Sequence, residues 1–284
     1  MDLSANAPQD RPQEHSVRQG PYRLEPNSRA EAAQRRRTHR DLLRAIEHEA
    51  FTLRFQPILS LRHGTVVGAE ALLFWPHPRQ GLIPAKSFLR EVEPTLRIGA
   101  WHLTQSCGAV AAGLPWPDHW TVSVRISWQQ LAKGVLLRQV AHALEHSGLS
   151  PDRLEIRLGE ANLDDIDVDT LLTLSALRDL GVGLALDDFG TGFASLAMLK
   201  RLPLTAMKLD RSLIRDLPSD REDAAILRAI VTAGHALGLD IVADGIDTES
   251  QRAFLSASGC DIGQGALFSQ HLTAAQLTGW IAMT

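Results

Sequence analysis

The 284-residue chain carries 29 Lys and Arg against 33 Asp and Glu, a formal net charge of -4, and is 44% hydrophobic. That length admits one large domain plus a tail, and the slight acidity gives no whole-protein attraction to nucleic acid or anionic lipid, so neither DNA nor a membrane is expected as a partner. Cys107 and Cys260 stand alone, which excludes a disulfide framework and a zinc signature; no apolar run approaches the roughly 20 residues of a transmembrane helix, and the N-terminus has no hydrophobic signal core, so a soluble, cytoplasmic protein is expected.

Residues 1–28 mix Pro, Gln, Asn, Asp and Arg with almost no apolar clustering, which predicts a disordered tail. A helix is expected over 29–50, with Leu42, Leu43 and Ile46 on its apolar side; its Arg35, Arg36 and Arg37 read first as a solvated face, with contact to nucleic acid or a nucleotide phosphate as the alternative. From 51 to 284 strand-like runs alternate with amphipathic helices. Strands are predicted near 52–60, 66–74, 120–127, 153–160, 182–188, 206–210, 240–245 and 262–268. Helices are predicted near 85–113, 129–147, 168–180, 193–200, 221–238, 248–258 and 273–282. Eight strands with interleaved helices match an α/β fold of the TIM-like (β/α)8 barrel type. The first two strands are joined only by Arg62-His63-Gly64-Thr65, too short for a parallel crossover, so the first strand is expected to be antiparallel.

Polar residues collect where these strands end. Glu70 follows Gly68-Ala69, Arg125 lies in Val124-Arg125-Ile126-Ser127, and Glu160 closes Leu154-Glu155-Ile156-Arg157-Leu158-Gly159-Glu160. Lys208 and Asp210, then Asp244 and Asp247, then Gln264 occupy the later strand ends. A single strand-end carboxylate is commonplace as a helix cap, but carboxylates on five successive strands converge on one barrel mouth and need compensating cations, either metal ions or side chains such as Lys208 and Arg125. The most informative stretch is Leu184-Ala185-Leu186-Asp187-Asp188-Phe189-Gly190-Thr191-Gly192. An apolar, doubly buried strand runs into two adjacent carboxylates and a small-residue loop, which points to a cation site, with a solvated Asp-Asp turn as the alternative.

These residues resemble the EAL family of bacterial cyclic di-GMP phosphodiesterases. The likeness runs from about Phe51 to the C-terminus through Phe55-Gln56-Pro57-Ile58, Glu70-Ala71-Leu72, Asp187-Asp188-Phe189-Gly190-Thr191-Gly192, Lys208-Leu209-Asp210-Arg211-Ser212, Gly259-Cys260-Asp261 and Gln264-Gly265-Ala266-Leu267-Phe268, in order. The resemblance implies a (β/α)8-type barrel, frequent homodimers, regulatory protein partners, and a two-metal Mg²⁺ or Mn²⁺ site that opens cyclic di-GMP to linear pGpG. Divalent ions serve that reaction because they acidify the attacking water and stabilise charge on the phosphoryl oxygens. By correspondence Glu70, Glu160 and Asp187 would hold the first metal, and Asp187 and Asp188 would share the second. Lys208 would orient the water, Asp244 would act at the second metal or as base, and Gln56, Leu72 and Gln264 would line the ligand site.

Several positions depart from the family pattern. Arg125 stands where a metal-binding asparagine is expected; a guanidinium has no acceptor atom and repels a cation, so it is expected to pair with Glu70, Glu160 or Asp187 instead. Asp244 and Asp247 replace glutamates, a shortfall of roughly 1.5 Å each. Phe74 replaces a phosphate-contacting arginine, and the segment Glu91–Leu96 looks shortened. Three functions follow from different classes: a non-hydrolytic cyclic di-GMP receptor in which Arg125 lies under a phosphate, a weak or active phosphodiesterase, and a protein-interaction module that no longer binds nucleotide. For a receptor, the loop of residues 187–193 and the helix after it would be the moving part. No P-loop or HExxH run competes.

Overall fold

The computed structural model describes residues 40–48, 50–87, 92–111, 116–160, 163, 166–192 and 194–283. Residues 40–47 are helical; the expected tail, residues 29–39 with Arg35–Arg37, and part of the Glu91–Leu96 segment lie outside the described residues. A compact unit spans Leu43–Thr284.

Among the described residues, nine strands form its sheet. They are β1 (Thr52–Ser60), β2 (Val66–His77), β3 (Gly81–Pro84), β4 (Thr121–Arg125), β5 (Leu154–Gly159), β6 (Gly183–Phe189), β7 (Ala206–Leu209), β8 (Asp240–Asp244) and β9 (Ile262–Gln264). Strands β2 and β4 to β9 pair in parallel sequence, and β1 closes the ring by pairing antiparallel to both β2 and β9. The closed eight-stranded barrel with an inverted first strand is therefore the expected fold. Closure leaves no free edge in the ring, and the extra strand β3 folds back on β2 as a hairpin on its rim.

The alternation of side chains explains why the ring is stable and where its chemistry lies. On β5, Leu154, Ile156 and Leu158 are buried in the outer apolar layer beneath the helices, whereas Arg157, also buried, takes the opposite parity and meets Glu70 and Glu155. A small inner plug of Ala185, Ala206 and Val242, with Ile262 against it, seals the barrel below the site. The outer layer is covered by α1 (Val92–Ala111), α2 (Trp128–Ala132), α3 (Leu136–Ser147), α4 (Val168–Asp179), α5 (Leu196–Leu199), α6 (Arg221–Ala236), α7 (Glu249–Ala257) and α8 (Ala274–Ile281). Ser127 with Gln130, Thr248 with Gln251, and Thr273 with Gln276 form reciprocal capping boxes at α2, α7 and α8.

Three local expectations change. The helix expected over 129–147 is two helices, because Gly134 adopts φ 62° and ends the first. The strand expected over 262–268 stops at Gln264, and the helix expected over 193–200 is the single turn α5, capped by Ser195. The β2–β3 hairpin went unforeseen, since Pro76 and Pro78 suppress a strand reading although proline is tolerated on a rim strand.

Close packing of β2 on β4 gives a direct test. A Cβ on Gly68 would lie 2.3 Å from the Thr121 backbone oxygen, a contact that a side-chain rotation cannot relieve. Gly68→Ala should lower the unfolding free energy by about 1–3 kcal/mol, measured by chemical denaturation, by forcing the β2–β4 ladder apart.

Candidate ligand site at the barrel mouth

A cavity of about 1110 Å³ opens at the C-terminal ends of the parallel strands. Gln56, Glu70, Leu72, Arg125, Asp187, Asp188, Lys208, Asp244 and Gln264 all line it, so nearly every site residue expected from the sequence is brought to one mouth. Glu160 is the exception.

Asp187 and Asp188 both face the mouth because β6 is bulged. Adjacent residues on a regular strand point to opposite faces, but the β6–β7 register shifts between Leu186 and Phe189. Asp188 takes φ 58°, the left-handed region, and is the one non-glycine residue with positive φ among the described residues. Aspartate tolerates that conformation better than most side chains. One Arg125 nitrogen, Nη1, then reaches both carboxylates, at 3.0 Å from Asp187 Oδ2 and 2.6 Å from Asp188 Oδ2. The other guanidinium nitrogen would be 3.1 Å from a Cβ on Gly159, so a larger residue there would crowd Arg125.

Deeper in the barrel, Glu70 Oε2 is surrounded by donors. Gln264 Nε2 lies 2.6 Å away, Arg157 Nη1 2.7 Å and Lys208 Nζ 2.9 Å. The Arg157 contact is a close ion pair whose Nη1 is not aligned as a hydrogen-bond donor. Lys208 Nζ also meets Asp244 Oδ2 at 2.9 Å and Asp187 Oδ1 at 3.8 Å. Gln264 Nε2 reaches Gln56 Oε1 at 2.7 Å, while its own buried Oε1 has no hydrogen-bond partner among the described residues.

Burial would raise the Glu70 pKa, but the charges of Arg157 and Lys208 and the hydrogen bonds from Lys208 and Gln264 hold it well below the usual carboxylate range. Burial and Arg157 would both lower Lys208; Glu70, Asp187 and Asp244 outweigh them and keep it protonated. Asp188 is raised, by burial first and by its neighbour Asp187, against the opposing pull of Arg125. Arg157 is likewise held protonated, burial being overcome by Glu70 and Glu155.

Glu160 serves the loop rather than the cavity. Its Oε2 accepts backbone N–H bonds from Gly190 at 3.0 Å, Thr191 at 3.0 Å and Gly192 at 2.8 Å, and its Oε1 accepts one from Ala194 at 2.9 Å. Four donors, three on Oε2 and one on Oε1, gather Gly190, Thr191, Gly192 and Ala194 around one buried carboxylate. Gly190 is required where it stands: it has φ 104°, and a Cβ would lie 2.6 Å from Leu213 Cδ1. Three of these bonds fall on Oε2 and one on Oε1, so the metal role that family correspondence assigned to Glu160 competes with the bonds that hold the loop.

Sequence reasoning missed Arg157. It shares inward parity with Glu155, pairs in register with Arg125 on β4, is 1% exposed, and binds Glu155 Oε1 through Nε at 3.1 Å. Alternation along β5 contains that signal, because Glu160 lies one residue past the strand and Arg157 lies within it.

These donors do not fit a pair of divalent ions. Glu70 faces Arg157 and Lys208, Asp187 and Asp188 face Arg125, Asp244 faces Lys208, and Glu160 accepts four backbone amides of the loop. Among the described residues no group of three or more His, Cys, Asp or Glu side chains is arranged to hold a metal ion.

Residues 39–271 match the EAL domain family. The chain belongs to that family, as its barrel and mouth residues suggest. It is 38% identical over 91% of its length to the bifunctional diguanylate cyclase/cyclic di-GMP phosphodiesterase MucR of Pseudomonas aeruginosa, and 39% identical over 87% of its length to the cyclic di-GMP phosphodiesterase NbdA of the same organism. It spans 38% and 32% of those proteins' lengths, so it corresponds to about a third of each. The solved structure of the MucR phosphodiesterase in complex with cyclic di-GMP superposes with a TM-score of 0.79 at 38% identity, covering 85% of this chain and 99% of that one. No helix among the described residues is long and apolar enough to cross a membrane.

A titratable group behind the site gives a pH test. His102 on α1 is buried against β2 with Nε2 3.0 Å from the Ala71 carbonyl oxygen, and burial lowers its pKa from 6.5 to about 4. A histidine kept neutral by folding binds its proton more readily when unfolded, so its contribution is complete above pH 6.5 and is lost as the pH falls towards 4. Unfolding free energy should decline across that window by at most on the order of 3 kcal/mol. His102→Gln should flatten that part of the pH profile in urea titrations.

Proposed function

We propose that the chain is a cyclic di-GMP receptor that neither requires a divalent metal nor hydrolyses its ligand. The observation that carries this reading is the trio Arg125, Arg157 and Lys208, set among the carboxylates that would otherwise need metal ions. Fixed cations can hold a phosphodiester in place but cannot generate hydroxide from water as a divalent ion does. Lys208 is engaged by carboxylates at 2.9 Å on two sides, which leaves it poorly placed to orient a nucleophile. Arg125 retains an outward guanidinium edge, its side chain being 43% exposed, and that edge suits a phosphate oxygen. Cyclic di-GMP is the ligand of choice because the MucR phosphodiesterase domain that this barrel resembles carries it. The two free, buried cysteines support a reducing, cytoplasmic setting, with burial pushing both thiols up to about 12.

Calorimetric titration with cyclic di-GMP in EDTA and again in Mg²⁺, followed by chromatography of the mixture, tests this directly. Equal affinity in both buffers and no pGpG are expected. Arg125→Ala should weaken binding about tenfold or more, as loss of a charge-assisted contact does. Product formation in Mg²⁺ would make the protein a phosphodiesterase, and absence of binding in both buffers would leave a protein-interaction module.

A further inference from the structure

The wall of the cavity built by β1 and β2 carries an arginine that the network at the mouth does not use. Arg54, Gln56, Glu70, Leu72 and Phe74 share the inward parity of these two strands, and Gln56 pairs with Glu70, Arg54 with Leu72, and Thr52 with Phe74. Moving outward from Glu70, the wall therefore presents an amide, then a guanidinium, then an aromatic ring at the rim. Arg54 lines the cavity and makes no ion pair or side-chain hydrogen bond with any described residue. Arg125, Arg157, Lys208 and Arg211 all face carboxylates, so Arg54 is the cavity-lining cation whose charge is uncommitted among the described residues.

Phe74 stands diagonally across the strand pair from Arg54, a separation of roughly 7–8 Å between such positions. Its ring is half-buried and tilted 52° to His271, with centroids 5.6 Å apart. His271 is held there because its chain neighbour Leu272 exchanges two backbone hydrogen bonds with Phe55, at 2.7 and 2.8 Å. On the other side the backbone of Phe74 is paired with Pro84 of the rim hairpin. The ring is thus fixed from both sides and turned towards the cavity, which lowers the entropy lost when a planar group stacks on it.

We propose that Arg54, Phe74 and His271 form a nucleotide subsite on this wall, with a purine base stacked on Phe74 beside His271 and the adjoining phosphate paired to Arg54. This rests on the reading that the cavity takes cyclic di-GMP, and it assigns the contacts that hold one half of that ligand. Stacking on an aromatic face accepts any purine, so the subsite supplies affinity and orientation, and the phosphate charge selects against uncharged nucleosides.

The test uses the full chain with two probes: cyclic di-GMP by calorimetry, and a cyclic dinucleotide carrying 2-aminopurine in place of one guanine by fluorescence. Stacking on Phe74 should quench the 2-aminopurine emission. Phe74→Leu should weaken cyclic di-GMP binding about tenfold and relieve the quenching, while Phe74→Tyr should preserve both affinity and quenching. Arg54→Ala should weaken binding about tenfold or more and make the remaining affinity less sensitive to salt. Thermal melts of each variant establish that it is folded. Wild-type protein that binds cyclic di-GMP while Arg54→Ala and Phe74→Leu bind within about twofold of it, or that leaves the fluorescent probe unquenched, overturns the subsite but keeps the receptor. Wild-type protein that binds neither probe overturns both.

Discussion

The interaction on which the site depends is the burial of Glu70 between Arg157 and Lys208. Glu70 is 5% exposed, Arg157 1% and Lys208 3%, so none of the three can shed its charge into water. Removing one partner of such a set leaves an unpaired buried charge, which costs about 3–5 kcal/mol. The arrangement is consequently self-enforcing: each cation is needed by the carboxylates, and the carboxylates keep each cation protonated. Gln264 and Gln56 extend the same set to β9 and β1, tying together strands from opposite ends of the chain across the closure of the barrel.

A second set, built on Glu160, shapes the loop. A carboxylate that accepts four backbone N–H bonds fixes Gly190, Thr191, Gly192 and Ala194, and the bulge at Asp187 and Asp188 hands both carboxylates to Arg125. The two sets meet at Asp187, which lies 3.0 Å from Arg125 and 3.8 Å from Lys208. A ligand phosphate that drew Arg125 away from Asp187 and Asp188 would alter the charge balance at the base of the loop. The glycines of this loop serve close approach as well as freedom, since Gly190 is hemmed in by Leu213. Movement of the segment therefore requires loss of the Glu160 bonds and not merely rotation about permissive backbone.

Much of this was legible in the sequence. The alternation of strands and helices gave the barrel, and the four residues Arg62–Thr65 gave the antiparallel first strand, because chain length alone forbids a parallel crossover there. Strand-end polar residues gave the mouth, with Arg125 on Asp187. What stayed hidden depends on parity and on tertiary partners. Arg157 sits in the middle of an apolar strand, where arginine is rarely fully buried, and only Glu70 on β2 and Glu155 two residues away make its burial sensible. Glu160 was assigned by its place in a motif, yet it follows the last residue of β5 and turns to the loop. The break at Gly134 and the rim hairpin reflect local backbone choices that apolar periodicity does not record.

The central claim is that side-chain cations occupy the positions that divalent ions would take. Titration of the purified, ligand-free chain with Mn²⁺, followed by the electron paramagnetic resonance signal of the free ion, addresses it without reference to turnover. Occupation by Arg125, Arg157 and Lys208 predicts a free-ion signal that grows in step with added Mn²⁺ at micromolar protein. Stoichiometric loss of that signal, relieved by Asp187→Asn, would contradict it.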